Sequence, residues 1–171
     1  MQSIPDEVVE KTFEEMSILE PEEIKILINK MGEEQPYVLA YLFETGEHEF
    51  NESEKEVFFY LGIGIWRMMS SRYAPLPLVL PILLDEIEEE NLKILDSLQK
   101  MDEERFVECI GQIIDNYSQP AILFYVVDLL IEEEIDVAPN KIGIMFIFLK
   151  ILIDAFQKAI ELKKIERPWK I

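Results

Sequence analysis

Apolar residues recur every three or four positions along most of this chain, and this spacing limits the folds that it can adopt. Ile24, Leu27, Ile28 and Met31 form one such run. This spacing puts the apolar side chains on one face of an α-helix, whereas a half-buried strand would need strict alternation. Threonine occurs only at positions 12 and 45, and there are six glycines, so residues typical of strands and hairpin turns are scarce. The sequence therefore predicts an all-α fold.

Prolines divide the chain into about eight predicted helices. Proline fits the first turn of a helix, because the N–H that it lacks has no intrahelical partner there. The prolines that precede apolar runs in this way are Pro5, Pro21, Pro36, Pro81, Pro120 and Pro139. Gly32 and Gly46 are expected to end helices, while Asn51 or Ser53, Asp102 and Ser118 are expected to cap them. The predicted helices cover residues 5–17, 21–31, 36–45, 53–72, 78–99, 103–117, 120–135 and 139–164.

A faint internal repeat suggests how these helices are arranged. Apolar residues follow Pro36, Pro81 and Pro120, which are 45 and 39 residues apart, and a second apolar helix follows each segment. Helix pairs that recur every ~40–47 residues are typical of HEAT- or armadillo-type stacks, in which each pair packs against its neighbours. We therefore expect a single domain over residues 1–171. It is either a short HEAT-like stack of antiparallel hairpins at 36–72, 78–117 and 120–164, or an orthogonal helical bundle.

Both arrangements bury the same face of the second helix in each pair. The expected core residues of these helices are Phe58, Leu61, Phe106, Ile110, Phe146 and Leu149. Gly62 and Gly64 lie within the first of them. They lack the preceding strand and the third glycine of a phosphate-binding loop, so we expect them to let another helix approach closely.

The acidic composition excludes several classes of partner. The chain has 16 Lys and Arg against 35 Asp and Glu, a formal net charge of -19. Phosphate backbones and anionic membrane surfaces normally meet clustered basic residues, so we expect no binding to nucleic acid or to membranes. The single cysteine, Cys109, excludes an internal disulfide and suits a reducing compartment. A cytoplasmic location is expected.

Residues that could carry catalysis or bind a metal are few. His48 is the only histidine and is expected in an acidic loop, while Cys109 is expected inside a mostly buried helix. A stable zinc site needs three or four ligands, and a reactive thiolate needs a cationic, partly exposed setting. The sequence thus predicts no catalytic residue, no metal site and no cofactor.

The acidic residues instead suggest a surface for a basic partner. If the hairpins stack, the turns near residues 46–52 and 133–138 lie along one edge, where negative charge would steer a cationic protein. The expected partner-binding residues of this edge are Glu47, Glu49, Glu52, Glu132, Glu133 and Glu134.

The last fourteen residues have the opposite charge. From Lys158 to Ile171 the chain carries +3, against -22 for the remainder, and this segment contains Trp169 after Pro168. A basic segment with an aromatic residue is expected either to dock on an acidic face, including that of a second copy in a homodimer, or to be a helix end whose lysines complement the helix dipole. Trp169 is therefore an expected partner-binding residue.

Three functions are consistent with these features. The first is a non-enzymatic, acidic helical module that binds a basic protein surface. The second is an acidic inhibitor or mimic that blocks the basic groove of a nucleic-acid-binding protein. The third is an enzyme or small-molecule carrier with a pocket between helices, for which Arg67, Arg72 and Tyr73 are the candidate lining residues.

Overall fold

The protein is all-helical, as the sequence predicts. The computed structural model describes residues 2–132 and 135–165, and helix accounts for 81% of them, with no strand. The eight helices in these ranges are α1 (Asp6–Ser17), α2 (Pro21–Glu34), α3 (Pro36–Glu49), α4 (Glu52–Tyr73), α5 (Pro81–Leu98), α6 (Glu103–Asp115), α7 (Pro120–Leu130) and α8 (Pro139–Ile165).

Local sequence explains most of the helix starts. Proline is the first residue of α2, α3, α5, α7 and α8, where its missing N–H costs nothing. The Asn51 side chain accepts a hydrogen bond from the Glu54 N–H while the Glu54 carboxylate accepts one from the Asn51 N–H, so the two residues form a capping box. Asp102 caps α6 by accepting a hydrogen bond from the Arg105 N–H. Both caps were predicted.

Three predicted boundary signals are wrong. Gly32 and Gly46 do not end their helices, because α2 continues to Glu34 and α3 to Glu49. Neither glycine has a positive φ, so neither adopts the left-handed conformation of a helix end. Ser118 does not cap α7, which is preceded by Gln119; its hydroxyl instead accepts a hydrogen bond from the Gln157 side chain.

The core is built around α8 and α4. Between Met145 and Ile160, α8 is buried at nearly every position, and it packs against α5, α4 and α7. Helix α1 packs on α4 and also on α7, two elements far apart in the sequence. In a solenoid each repeat contacts only its neighbours. The arrangement is compatible with a helical bundle, and the HEAT-like stack is not confirmed.

The expected core residues are buried with one exception. Phe58, Leu61 and Phe146 are among the most buried side chains, and Leu149 and Ile110 are also in the core. Phe106 is only half-buried. Helix α6 covers α7 with a single fully buried residue, Ile110, so the prediction for Phe106 is wrong.

The connection between α4 and α5 is held by one buried side chain. Gln35, at the junction of α2 and α3, donates from Nε2 to the Pro77 carbonyl at 2.9 Å, and its Oε1 accepts from the Val79 N–H at 3.0 Å. The side chain is fully buried, and it satisfies two backbone groups that this irregular segment would otherwise leave unpaired.

Candidate functional site

Most carboxylates at the α3–α4 turn are already paired with lysines. The Lys55 ammonium lies 2.9 Å from a Glu47 oxygen and 2.6 Å from a Glu52 oxygen. Lys141 of α8 lies 3.9 Å from Glu49. These three glutamates were predicted to contact a partner, and each shares its charge with a neighbouring lysine. Their negative potential is therefore weaker than the sequence alone suggests.

This turn lies beside the connection between α7 and α8. Glu54 is buried, and its Oε1 accepts a hydrogen bond from the Ala138 N–H at 3.1 Å. The Lys141 ammonium also lies 5.9 Å from the centre of the Phe50 ring, within the range of a cation–π contact. Residues near positions 50 and 138 thus share one side of the molecule.

Glu132 is exposed and lies near Tyr125. Burial, Tyr60, Glu132 and Asp128 together raise the pKa of Tyr125 to about 12, because negative charge near a phenol disfavours its ionised form. Glu133, Glu134 and Trp169 lie outside the described residues.

An apolar groove of about 400 Å³ opens between α1, α2, α3 and α4. We call it the α2 groove; it is lined by Met16, Leu19, Ile24, Leu27, Ile28, Phe43, Glu56, Phe59, Tyr60 and Ile63. Helix α2 explains why the groove exists. Of its apolar stripe only Met31 is buried, while Leu27 and Ile28 are half-buried and Ile24 is 36% exposed. The neighbouring helices therefore cover only one end of this stripe.

One wall of the α2 groove is aromatic and one carboxylate lies at its edge. Phe43 of α3 is 48% exposed, and its ring lies 4.6 Å from that of Phe59 in α4. Glu56 is exposed and forms no ion pair within residues 2–132 and 135–165. The groove thus combines apolar surface with a free negative charge.

A buried polar network joins α5, α8 and the segment after α6. It was not predicted from the sequence. The Lys150 ammonium lies 2.6 Å from Asp154 Oδ2 and 2.9 Å from Asn91 Oδ1. Asn91 Nδ2 donates to Asp154 Oδ2 at 3.0 Å, and the Tyr117 hydroxyl donates to Asp154 Oδ1 at 2.5 Å. The available signal was a Lys and an Asp four residues apart inside the most apolar stretch of α8.

This network supports packing more directly than chemistry. A buried charge is tolerated when it is paired and its hydrogen bonds are satisfied, and both conditions hold here. Burial and the Asp154 charge raise the pKa of Tyr117 well above its ordinary value. The tyrosine therefore stays protonated as a hydrogen-bond donor and is a poor base at neutral pH.

The remaining candidates do not converge on a reaction site. His48 is exposed in the last turn of α3, not in a loop, and Cys109 is half-exposed on α6, not deeply buried. Arg67 pairs with Glu15, while Arg72 and Tyr73 hydrogen-bond to Gln2. In the described part of the chain, no group of three or more His, Cys, Asp or Glu is placed to hold a metal ion.

Comparison with protein-family models, with curated proteins and with solved structures finds no match to this chain. Among residues 2–132 and 135–165, no helix is both long and apolar enough to cross a membrane.

Proposed function

We propose that this chain is a non-enzymatic interaction module that binds a basic, amphipathic helix of a protein partner in the α2 groove. The observation that carries the proposal is the incomplete burial of the α2 stripe. Contiguous exposed apolar surface is costly in water and commonly marks an interaction site. A groove between helices is suited to the apolar face of another helix, which would place residues at i, i+3, i+4 and i+7 inside it.

Charge supports a basic partner over an acidic or neutral one. The whole chain carries -19, and Glu56 lines the groove without an ion pair to any residue that the structure describes. Glu47 and Glu52 lie at the same end, because Lys55 joins both of them and packs against Gly46 beside Phe59. A lysine or arginine next to the apolar face of the partner would meet these glutamates. The same charge disfavours nucleic acid as the partner.

The proposal is tested with a labelled helical peptide that has leucines on one face and lysines on the other. The decisive variant is Ile24→Gln, which puts an amide in the groove. Burying an isoleucine is worth about 1.5–3 kcal/mol, so affinity should fall about tenfold or more. Ile26→Gln is the matched control, since Ile26 is 66% exposed on the same helix and does not line the groove.

Fluorescence anisotropy with the two variants separates the proposed function from its alternatives. Loss of affinity in Ile24→Gln alone supports the module. If both variants bind as tightly as the parent, the α2 groove is not the site. Binding that depends on salt but on neither isoleucine would favour the acidic mimic, in which carboxylates alone hold the partner.

A further inference from the structure

A second apolar groove lies on a different part of the molecule, between α6, α7 and α8. We call it the α6 groove; it has a volume of about 320 Å³ and shares no lining residue with the α2 groove. Val107 and Gly111 of α6 line one wall, and Phe124 and Ile131 line another. Ile142 of α8 also lines the groove.

The walls of the α6 groove expose more apolar surface than those of the α2 groove. Val107, Phe124 and Ile131 are 64%, 61% and 62% exposed. Residues 107, 110, 111 and 114 follow one face of α6, and residues 124, 127 and 131 follow one face of α7 and its C-cap. Two amphipathic helices thus meet along an open trough that no other element within the described ranges fills.

The wall of this trough has open space in front of Gly111. A Cβ atom built on Gly111 would have no heavy atom within 4 Å. By contrast, a Cβ on Gly143 would lie 3.0 Å from the Phe106 ring. The helix face at Gly111 therefore has room for a side chain from a second molecule.

Three carboxylates belong to, or directly neighbour, the residues that line the trough. Asp115 lines it, Asp128 lies one turn after Phe124 on α7, and Glu132 directly follows Ile131, which lines it. None of these three forms an ion pair in the part of the chain that the structure describes. A second copy of this chain would bring another -19 and the same acidic rim. Charge complementarity therefore favours a cationic occupant.

We infer that the α6 groove is a second docking site, which takes a short amphipathic helix with lysine or arginine beside its apolar face. The partner places apolar side chains over Gly111 and between Val107 and Phe124, and its cations meet Asp115, Asp128 and Glu132. A chain with two such grooves binds either two basic helices of one partner or one helix from each of two partners. The first case raises the overall affinity, because the second contact becomes intramolecular.

The test uses the labelled leucine and lysine peptide and counts the peptides bound per chain by native mass spectrometry and calorimetry. Gly111→Leu puts a large side chain into the trough at a position where an added Cβ meets no other heavy atom, so the variant should fold and lose one bound peptide. Gly111→Ala adds only a methyl group and should keep both. Far-UV circular dichroism and thermal unfolding check that each variant is folded.

A second pair of variants keeps the test independent of position 111. Phe124→Ser removes an exposed wall and should weaken binding at the α6 groove about tenfold. Leu92→Ser is its control, since Leu92 is 41% exposed on α5 and lines neither groove. Unchanged stoichiometry and affinity in both Gly111→Leu and Phe124→Ser would overturn the inference.

The outcomes also separate this inference from the proposed function. If Ile24→Gln removes all binding and Gly111→Leu removes none, the α2 groove is the single docking site and the inference fails alone. If Gly111→Leu and Phe124→Ser remove all binding while Ile24→Gln removes none, the inference stands and the α2 groove is not a site. A peptide with glutamates in place of lysines should bind at neither groove, and equal binding of that peptide would overturn the basic occupant.

Discussion

Two glycines of α4 leave space for buried side chains of the neighbouring helices α1 and α3. A Cβ on Gly62 would lie 2.7 Å from Leu42 of α3, and a Cβ on Gly64 would lie 2.5 Å from the Phe13 ring of α1. Real Cβ atoms do not approach other atoms so closely, so an alanine at either position would force the Leu42 or the Phe13 side chain to shift. The sequence-based expectation that these glycines allow close helix packing is confirmed.

Alanine substitutions at two glycines should have opposite effects on the free energy of unfolding. Gly64→Ala forces a methyl group into Phe13 and should destabilise the protein by about 1–3 kcal/mol, as overpacking does. Gly111→Ala meets no atom and replaces a poor helix former, so it should stabilise by about 0.5–1 kcal/mol. Urea denaturation measures both changes as shifts of the unfolding midpoint, provided that the m-value is the same as in the parent. Equal losses at the two sites would contradict the packing described for α4.

At the scale of helices, α8 combines a long apolar surface with one buried ion pair. Lys150 and Asp154 lie one turn apart, and Asn91 of α5 and Tyr117 after α6 complete their hydrogen bonds. The Lys150 ammonium also lies 5.2 Å from the centre of the Tyr117 ring. Because Asn91 of α5 bonds to both Lys150 and Asp154 of α8, the network ties the two helices together at this position.

Removing one member of the ion pair should cost more than removing both. Lys150→Met leaves the Asp154 carboxylate without its cation, and such a loss typically costs about 3–5 kcal/mol. The double variant Lys150→Met with Asp154→Leu should recover most of that loss, since no buried charge remains. Lys158→Met, at an exposed position of the same helix, is the control and should be nearly neutral. Chemical denaturation of the four proteins checks the order, and a double variant less stable than Lys150→Met would refute it.

Tyr117 should make the protein less stable at alkaline pH. Its pKa is raised in the folded protein by burial and by Asp154, whereas in the unfolded chain it is about 10. The folded state therefore keeps a proton that the unfolded state releases, and stability falls as the pH rises above about 10. Tyr117→Phe should reduce this fall between pH 10 and 12, and Tyr37→Phe, at an exposed tyrosine, should not. Parallel pH profiles for the parent and Tyr117→Phe would contradict the assignment.

Local sequence predicted most of the helices, but it did not predict the grooves or the buried polar network. Helical periodicity, the prolines and the Asn51 cap predict where most helices begin, because these signals act within a few residues. Which face of α2 or α6 stays uncovered depends on helices far away in the sequence, so neither groove was predicted. The interaction of Lys150 with Asn91 spans 59 residues, and no local pattern could have assigned that pair.

For the whole molecule, the arrangement of charge matters more than its total. Lysines neutralise part of the predicted acidic edge, since Lys55 pairs with Glu47 and Glu52 and Lys141 pairs with Glu49. Glu56 lines the α2 groove and Glu132 follows Ile131 of the α6 groove, and neither forms an ion pair within the described ranges. A cationic partner is therefore drawn to the surfaces on which it can also bury apolar side chains.

Charge reversal at these places should slow association with the cationic peptide. The triple variant Glu52→Lys, Glu56→Lys and Glu132→Lys should lower the on-rate at low salt, while the helical content stays unchanged because all three residues are exposed. The control variant Glu10→Lys, Glu14→Lys and Glu89→Lys changes the net charge equally at exposed positions outside both grooves. Stopped-flow fluorescence measures both rates, and similar slowing in the two variants would mean that only net charge matters.

The place of α8 in the sequence determines when the core can form during synthesis. Helix α4 ends at Tyr73, and the helix that covers it, α8, is complete only at Ile165. At about 5–20 residues per second the ribosome needs roughly 5 to 20 s to add the intervening chain. Throughout that interval α4 lacks this partner, and α5 lacks it from the time that α5 has been made. The nascent chain therefore reaches its native core in one late step, whereas a repeat array could assemble one unit at a time as it emerges.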